Sequence, residues 1–228
     1  YAMNFACDAQ NEECLRDAAV LVHLYAYDDP AVKIPNGLER IYCNGLRGAG
    51  KQNEFVEIWK KTQITADATM KTTLLNALGC SDDKELLMAY LDTSIGSGNS
   101  VNYTTAQRQT VFSSVLQSHS GLKVVIEFLK RAQSEVISST GRTLAQLLTT
   151  IAGTIKTRDD QMLFHDFLMT RINDGLTADQ FLSISQTVSS NFARQEVTTA
   201  VQQMKEIERI INEWENGISD EGSVWILP

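Results

Sequence analysis

Four cysteines, three histidines and one glycine-rich stretch are the residues of this 228-residue chain whose types and spacing could do chemistry. Cys7, Cys14, Cys43 and Cys80 all lie in the first 80 residues. No two are spaced Cys-x-x-Cys, which argues against a zinc ribbon and a thioredoxin-type redox pair. An even, clustered set fits two disulfides made in an oxidising compartment. The competing reading is four separate buried thiols. Four cysteines allow three connectivities, and spacing alone does not choose among them; the sequential pairing is the simplest. For that pairing, loop-closure entropy gives about 2.5 kcal/mol for the short loop and nearly 4 for the long one.

His23, His119 and His165 are too far apart in sequence to form a His-x-x-x-His zinc pair on one helix face. They read as packing or surface residues. Gly45-Leu46-Arg47-Gly48-Ala49-Gly50-Lys51 fits the G-x-x-x-x-G-K pattern of a phosphate loop, whose backbone N–H groups cradle phosphate oxygens. It lacks the following Ser or Thr, since Gln52 stands there, and the residues before it read as helix, not strand. A helix end capped by glycine explains the same residues. No G-x-S-x-G elbow occurs. Glu206, Glu208, Glu213 and Glu215 read as the solvated face of a helix, and Trp214 and Trp225 as packing anchors. The chain by itself shows no catalytic and no metal-ligating constellation. Asn102-Tyr103-Thr104 is its one Asn-x-Ser/Thr glycosylation acceptor, placed after the loop-like Gly96-Ser97-Gly98-Asn99-Ser100.

The composition says what must carry these residues. Hydrophobic residues make up 43% and charged residues 21%, so the chain folds around a core. Only 3 residues are Pro, which suits helices. A net charge of −8 argues against a nucleic-acid partner, which needs a concentrated basic face. No apolar run is long enough to span a membrane. Tyr1-Ala2-Met3-Asn4 is neither a signal peptide nor an initiator start, which leads us to expect a segment of something longer.

Apolar residues recur at steps of three and four nearly throughout, the period of amphipathic helices. The spacing predicts about eleven helices. The first carries Leu15, Ala18, Ala19, Val22 and Ala26 and ends near Asp28-Asp29-Pro30. Pro35-Asn36-Gly37 opens a second with Leu38, Ile41, Tyr42 and Leu46, closed by Gly45, Gly48 and Gly50. Phe55, Ile58 and Trp59 mark a third. Leu74, Leu75 and Leu78 mark a fourth that Gly79 stops. Ser81-Asp82-Asp83 caps a fifth with Leu86, Leu87, Tyr90 and Leu91. Val111, Val115 and Leu116 follow, ending near Gly121. Val124, Val125, Phe128, Leu129 and Ala132 come next. Leu144, Leu147, Leu148 and Ile151 form another after Gly141, and Met162, Leu163, Phe167 and Ile172 one more, closed by Asn173-Asp174-Gly175. Thr177-Ala178-Asp179-Gln180 is a capping box. The last and longest stripe runs through Val197, Val201, Met204, Ile207, Ile211, Trp214 and Ile218. The expected fold is all-α, a solenoid of stacked antiparallel helix pairs of HEAT or armadillo type formed as one domain over 1–228, with an irregular bundle as the alternative.

One stretch, Pro35 to Gly48 with Tyr42-Cys43 at its centre, resembles the C-terminal helical domain of zinc-dependent aminopeptidases of the aminopeptidase N family. The likeness continues through Phe55, Trp59, Leu74, Leu75, Ala77, Leu78, Gly79 and Cys80. Upstream, Cys7 and Cys14 resemble that family's short cysteine loop. Gly121, Val125, Glu127, Phe128 and Leu129 resemble one of its helices, and Glu208 with Asn212-Glu213-Trp214 its closing helix. The resemblance implies the pairs Cys7–Cys14 and Cys43–Cys80 and a HEAT-like solenoid. It implies a parent ectoenzyme, anchored at the cell surface, that removes N-terminal residues from peptides. The parent's zinc sits on a His-Glu-x-x-His motif and its amine-binding loop on Gly-x-Met-Glu-Asn. Neither motif is present here, so both belong to an upstream catalytic domain and no catalytic residue carries over. The helical domain would cap the cleft and wall a substrate chamber, and in some members it mediates homodimers. Thr104-Thr105-Ala106-Gln107 and Ile126 depart from the family pattern. They suit a divergent member such as an insect gut aminopeptidase, several of which resemble lipid-anchored receptors for bacterial toxins. The alternative is a non-catalytic extracellular binding module.

Overall fold

The structure is a computed structural model that describes residues 7, 11–27, 40–47, 50–96, 102–171 and 174–220; beyond residue 194 it describes only the side chains of residues 204, 205, 207, 208 and 209. Among the described residues there are ten helices and no strand, so the chain is all-α. They are α1 (Glu12–Ala26), α2 (Arg40–Leu46), α3 (Gln52–Ile64), α4 (Ala68–Leu78), α5 (Lys84–Ser94), α6 (Thr105–Val115), α7 (Gly121–Thr140), α8 (Leu144–Ala152), α9 (Arg158–Thr170) and α10 (Ala178–Asp220). The expected opening of α2 at Pro35–Gly37, the loop residues 97–100, Asn173 and Trp225 lie outside the described residues.

Side-chain caps begin most of these helices, because the first backbone N–H groups of a helix have no partner within it. Asn11 accepts from the Cys14 N–H, Asp67 from Thr69 and Met70, Asp83 from Glu85 and Leu86, and Thr157 from Asp160. Three helices use the same device, Thr-x-x-Gln, in which each residue bonds the other's backbone N–H. These are Thr104 with Gln107, Thr143 with Gln146, and Thr177 with Gln180. The sequence reading picked out only the third. The first explains the departure at 104–107, where the local need is a helix start.

Gly79 stops its helix as expected but by a different geometry, and Gly121 begins a helix where an end was expected. Gly79 follows α4 with φ −66°, an ordinary right-handed conformation, so it is not a left-handed cap. A Cβ there would collide with the backbone and side chain of Ser114 on α6, so the residue is glycine to let two helices approach. Gly121 does not end a helix; it is the first residue of α7 and lies against the Val115 carbonyl. α7 also runs eight residues past the predicted stripe, to Thr140, bending at Ala132 (φ −132°, ψ 33°). Its second half buries Val136, Ser139 and Thr140, and the two hydroxyls bond back to the Val136 carbonyl. Polar residues on a buried face hide the apolar period, which is why the spacing missed this stretch.

Packing follows chain order. α1 packs on α2 and α3, α4 on α2, α3 and α6, α7 on α5, α6, α8 and α9, and α10 on α8 and α9. The core at the α3–α6 end is aromatic. Phe55, Trp59 and Tyr90 meet edge to face, with ring centres 5.7 to 6.0 Å apart. The buried Tyr90 hydroxyl donates to the Leu75 carbonyl at 2.9 Å. Polar ties join neighbouring helices at the surface: Arg131 to Asp92, Gln52 to Asp83, and Gln109 to the Thr140 carbonyl at the end of α7.

α10 changes character along its 43 residues. Ile184 and Val188 are buried, and Asn191 donates to the Ala152 carbonyl at the end of α8. Farther along, Met204 is 61% and Ile207 56% exposed. At 100° per residue, 181, 184, 188 and 191 share one side of the helix, whereas the exposed 204 and 207 fall about 150° away. Met204 and Ile207 therefore do not continue the docked face.

Candidate functional site

This chain's own chemistry is concentrated in its cysteines. Cys7 is bonded to Cys14, with Cα atoms 5.1 Å apart, and Cys43 to Cys80, with Cα atoms 5.2 Å apart. Among the described residues no cysteine is free. The first bridge ties the leading residues to the first turn of α1, beside the Asn11 cap. The second joins α2 to the turn after α4, so a seven-residue helix too short to hold itself is fixed covalently to the core.

The three histidines do not converge. His23 on α1 places Nδ1 2.9 Å from Glu54 Oε1 on α3. A carboxylate only accepts, so Nδ1 carries the hydrogen and donates. Burial by itself would raise the Glu54 carboxyl; the hydrogen bonds from His23 and from its own N–H, with the charges of Lys51 and His23, outweigh this and hold it below its ordinary 4.5. His165 is exposed near Asp166, and His119 is exposed in the turn before α7. Among the described residues no three His, Cys, Asp or Glu side chains gather as a metal needs. Among the described residues, the side chains present do not fit a zinc site.

The glycine-rich stretch is not a phosphate loop. Gly45 lies inside α2, buried against Val22 and the Ala18 carbonyl of α1, where a Cβ would clash. No strand precedes it among the described residues, and Gly50 takes a positive φ, +77°. The glycine is there for helix contact. Asn44 beside it is 2% exposed, and its amide has no hydrogen-bond partner among the described residues.

Asn102 is exposed immediately ahead of α6. The other two residues of its acceptor triplet are pinned. Tyr103 is buried, and its hydroxyl accepts from Trp59 Nε1 at 3.0 Å and from Gln63 Nε2 at 3.2 Å. Thr104 is the α6 cap. Among the described residues the surface carries open, shallow clefts. One, lined by Ile95, Arg108, Ser134, Glu135, Ser138 and Ser139, has a volume near 390 Å³. It brings no histidine or cysteine beside its serines, so it holds no activated nucleophile.

Residues 1–191 match the family described as the ERAP1-like C-terminal domain. The chain belongs to that family. Among curated proteins, the ERAP1-like chain is 26% identical over 196 residues to an "Aminopeptidase N" of Plutella xylostella, covering 84% of this chain and 20% of that protein. It is 32% identical over 93 residues to the "Thyrotropin-releasing hormone-degrading ectoenzyme" of Rattus norvegicus and to that of Homo sapiens, covering 40% of this chain and 8% of each relative. The chain thus spans about a fifth of the length of the insect relative, and less of the mammalian ones. The family match takes in both cysteine pairs, Gly79 and Gly121, and it ends before the residues 208–214 that resemble a closing helix. Ile126 is buried at 1% exposure on α7.

Proposed function

We propose that this chain is the C-terminal helical part of a zinc-dependent aminopeptidase that removes N-terminal residues from peptides. The observation that carries the reading is the family match over residues 1–191, together with relatives named aminopeptidase N and a hormone-degrading ectoenzyme. In this reading the zinc ligands and catalytic groups lie in an upstream domain. The helices, stacked as a HEAT-like array in a single domain, cap its cleft and wall the chamber through which peptides reach the zinc. The parent protein stands at the cell surface. Two disulfides and a helix order that packs each element on its near neighbours support this role, since a cap must hold its shape under an oxidising medium.

The test has two parts. The transcript upstream of Tyr1 should encode His-Glu-x-x-His; a transcript without it ends the reading. The full protein should then be compared with a version lacking this chain, using aminoacyl anilides and peptides of graded length. Loss of length discrimination, with the small anilide still cleaved, supports the cap. Unchanged length discrimination refutes it and favours the second reading, a helical module that binds an extracellular partner such as a toxin without shaping catalysis.

A further inference from the structure

We propose that Asn102 carries an N-linked glycan, and that the α3–α6 edge around it therefore faces solvent in the whole protein. Three independent observations converge there. The acceptor triplet Asn102-Tyr103-Thr104 is the only one in the sequence. Asn102 is exposed, while Tyr103 next to it is 3% exposed and points inward. Both cysteine pairs are joined as disulfides, which belong to the compartment where such glycans are added.

The chemistry is a group transfer. The Asn102 Nδ2 attacks the anomeric carbon of an oligosaccharide linked to a lipid pyrophosphate. The new C–N bond forms as the C–O bond to pyrophosphate breaks. Nδ2 gives up one proton, and the lipid pyrophosphate leaves with the bonding electron pair. The substrate class is thus a lipid-pyrophosphate oligosaccharide, supplied by the secretory pathway.

The fold also dictates when this happens. An acceptor triplet is read in an extended chain with its Thr hydroxyl free to bond the transferring enzyme. In the folded protein the Thr104 hydroxyl accepts from the Gln107 N–H at 3.2 Å, and the Thr104 N–H donates to Gln107 Oε1 at 3.0 Å. The Tyr103 ring is held against α3 by two hydrogen bonds. The triplet is locked on both sides once α6 forms, so the glycan must be attached to the nascent chain. Afterwards it projects from the only free side chain of the three. A bulky hydrated sugar at that point excludes close packing of another protein domain on the neighbouring ends of α3 and α6.

The inference rests on the extracellular placement proposed above, and its test separates the two. The chain is expressed behind a cleavable leader in insect cells, and the pool inside the secretory pathway is taken with the secreted one, because attachment precedes folding. The peptide containing Asn102 should show added hexose and N-acetylhexosamine mass, and an amidase that releases N-glycans should convert Asn102 to Asp. Asn102→Gln should abolish the mass shift, as should Thr104→Ala, whereas Thr104→Ser, which keeps both hydroxyl and cap, should retain it. The folded, unglycosylated chain presented afterwards to the same transferase should accept little glycan, and a reduced, unfolded sample much more. An unmodified Asn102 in leader-directed protein overturns the proposal. Free thiols on all four cysteines of the native protein would instead overturn the extracellular placement, whatever the leader-directed chain shows.

Discussion

Gly79 and Gly153 offer a matched pair that isolates packing from backbone effects. Both follow a helix, and their backbones are nearly identical, φ −66° ψ −13° and φ −65° ψ −16°. Replacing either by Ala restricts the unfolded chain equally and contributes about 0.4–1 kcal/mol of stability where the site tolerates a methyl group. Gly153 does tolerate it, since the nearest atom to an added Cβ is the Thr150 carbonyl oxygen at 3.4 Å. At Gly79 the added carbon overlaps the Ser114 backbone carbonyl carbon, Cβ and Oγ, all inside the α4–α6 contact. Overpacking of that kind costs about 1–3 kcal/mol. The entropy contribution cancels between the two variants, so Gly79→Ala should lie below Gly153→Ala by about 1–3 kcal/mol. For a chain of this size each kcal/mol moves Tm by about 2–4 °C. Thermal unfolding followed by circular dichroism, with disulfides intact, reads the difference. Ser114→Gly removes two of the three obstructing atoms, so the Gly79→Ala, Ser114→Gly double variant should recover part of the loss as a favourable coupling. Equal Tm values for the two alanine variants, or no coupling to residue 114, would refute the argument that close approach requires glycine at 79.

Three other outcomes follow from the same structure. Removing the Cys43–Cys80 bridge with paired alanines should cost nearly 4 kcal/mol, against about 2.5 for Cys7–Cys14, because it closes the longer loop; equal losses in denaturant titrations would contradict the chain-entropy account. Tyr90→Phe deletes the buried bond to the Leu75 carbonyl and should cost about 1 kcal/mol. Burial pushes the Tyr90 phenol well above its ordinary 10.0, so its contribution is full below about pH 10 and falls as pH rises further. The Phe variant should lose that alkaline fall in melts run across pH 9 to 12. Glu54 is held below its ordinary 4.5, so its contribution is full above that pH and lost as the medium acidifies through the lowered value. Glu54→Gln should flatten the acid limb of the stability profile below about pH 4.5, while His23→Ala should weaken the same limb by removing the donor.

Most helices were legible because apolar residues recur at helical spacing and because Asp and Thr announce their starts. The Asp83 and Thr177 caps were read correctly for that reason. Thr104 and Thr143 carry the same Thr-x-x-Gln signal, but few apolar residues follow Thr104 at helical spacing to mark it as a helix start. The second half of α7 was hidden by buried Ser139 and Thr140, whose hydroxyls turn inward to a carbonyl one turn back. The candidate site was legible only as residue types. Nothing along the chain marks Glu54 as the partner of His23, 31 positions earlier, or Trp59 and Gln63 as the anchors of Tyr103.

The sequence by itself determined an all-α chain, the approximate positions of its helices, an even set of cysteines and one glycan acceptor. These are local properties, set by spacing along the chain and by residue type. Tertiary structure decided which cysteines meet, why glycine stands at 45, 79 and 121, and which residue of the acceptor triplet is exposed. It also decided that α10 docks through Ile184, Val188 and Asn191 on the end of α8. Each of these depends on distances between residues far apart in sequence. Gly79 and Gly153 both follow a helix with the same backbone, and only the position of Ser114 shows that the first must also admit a neighbouring helix.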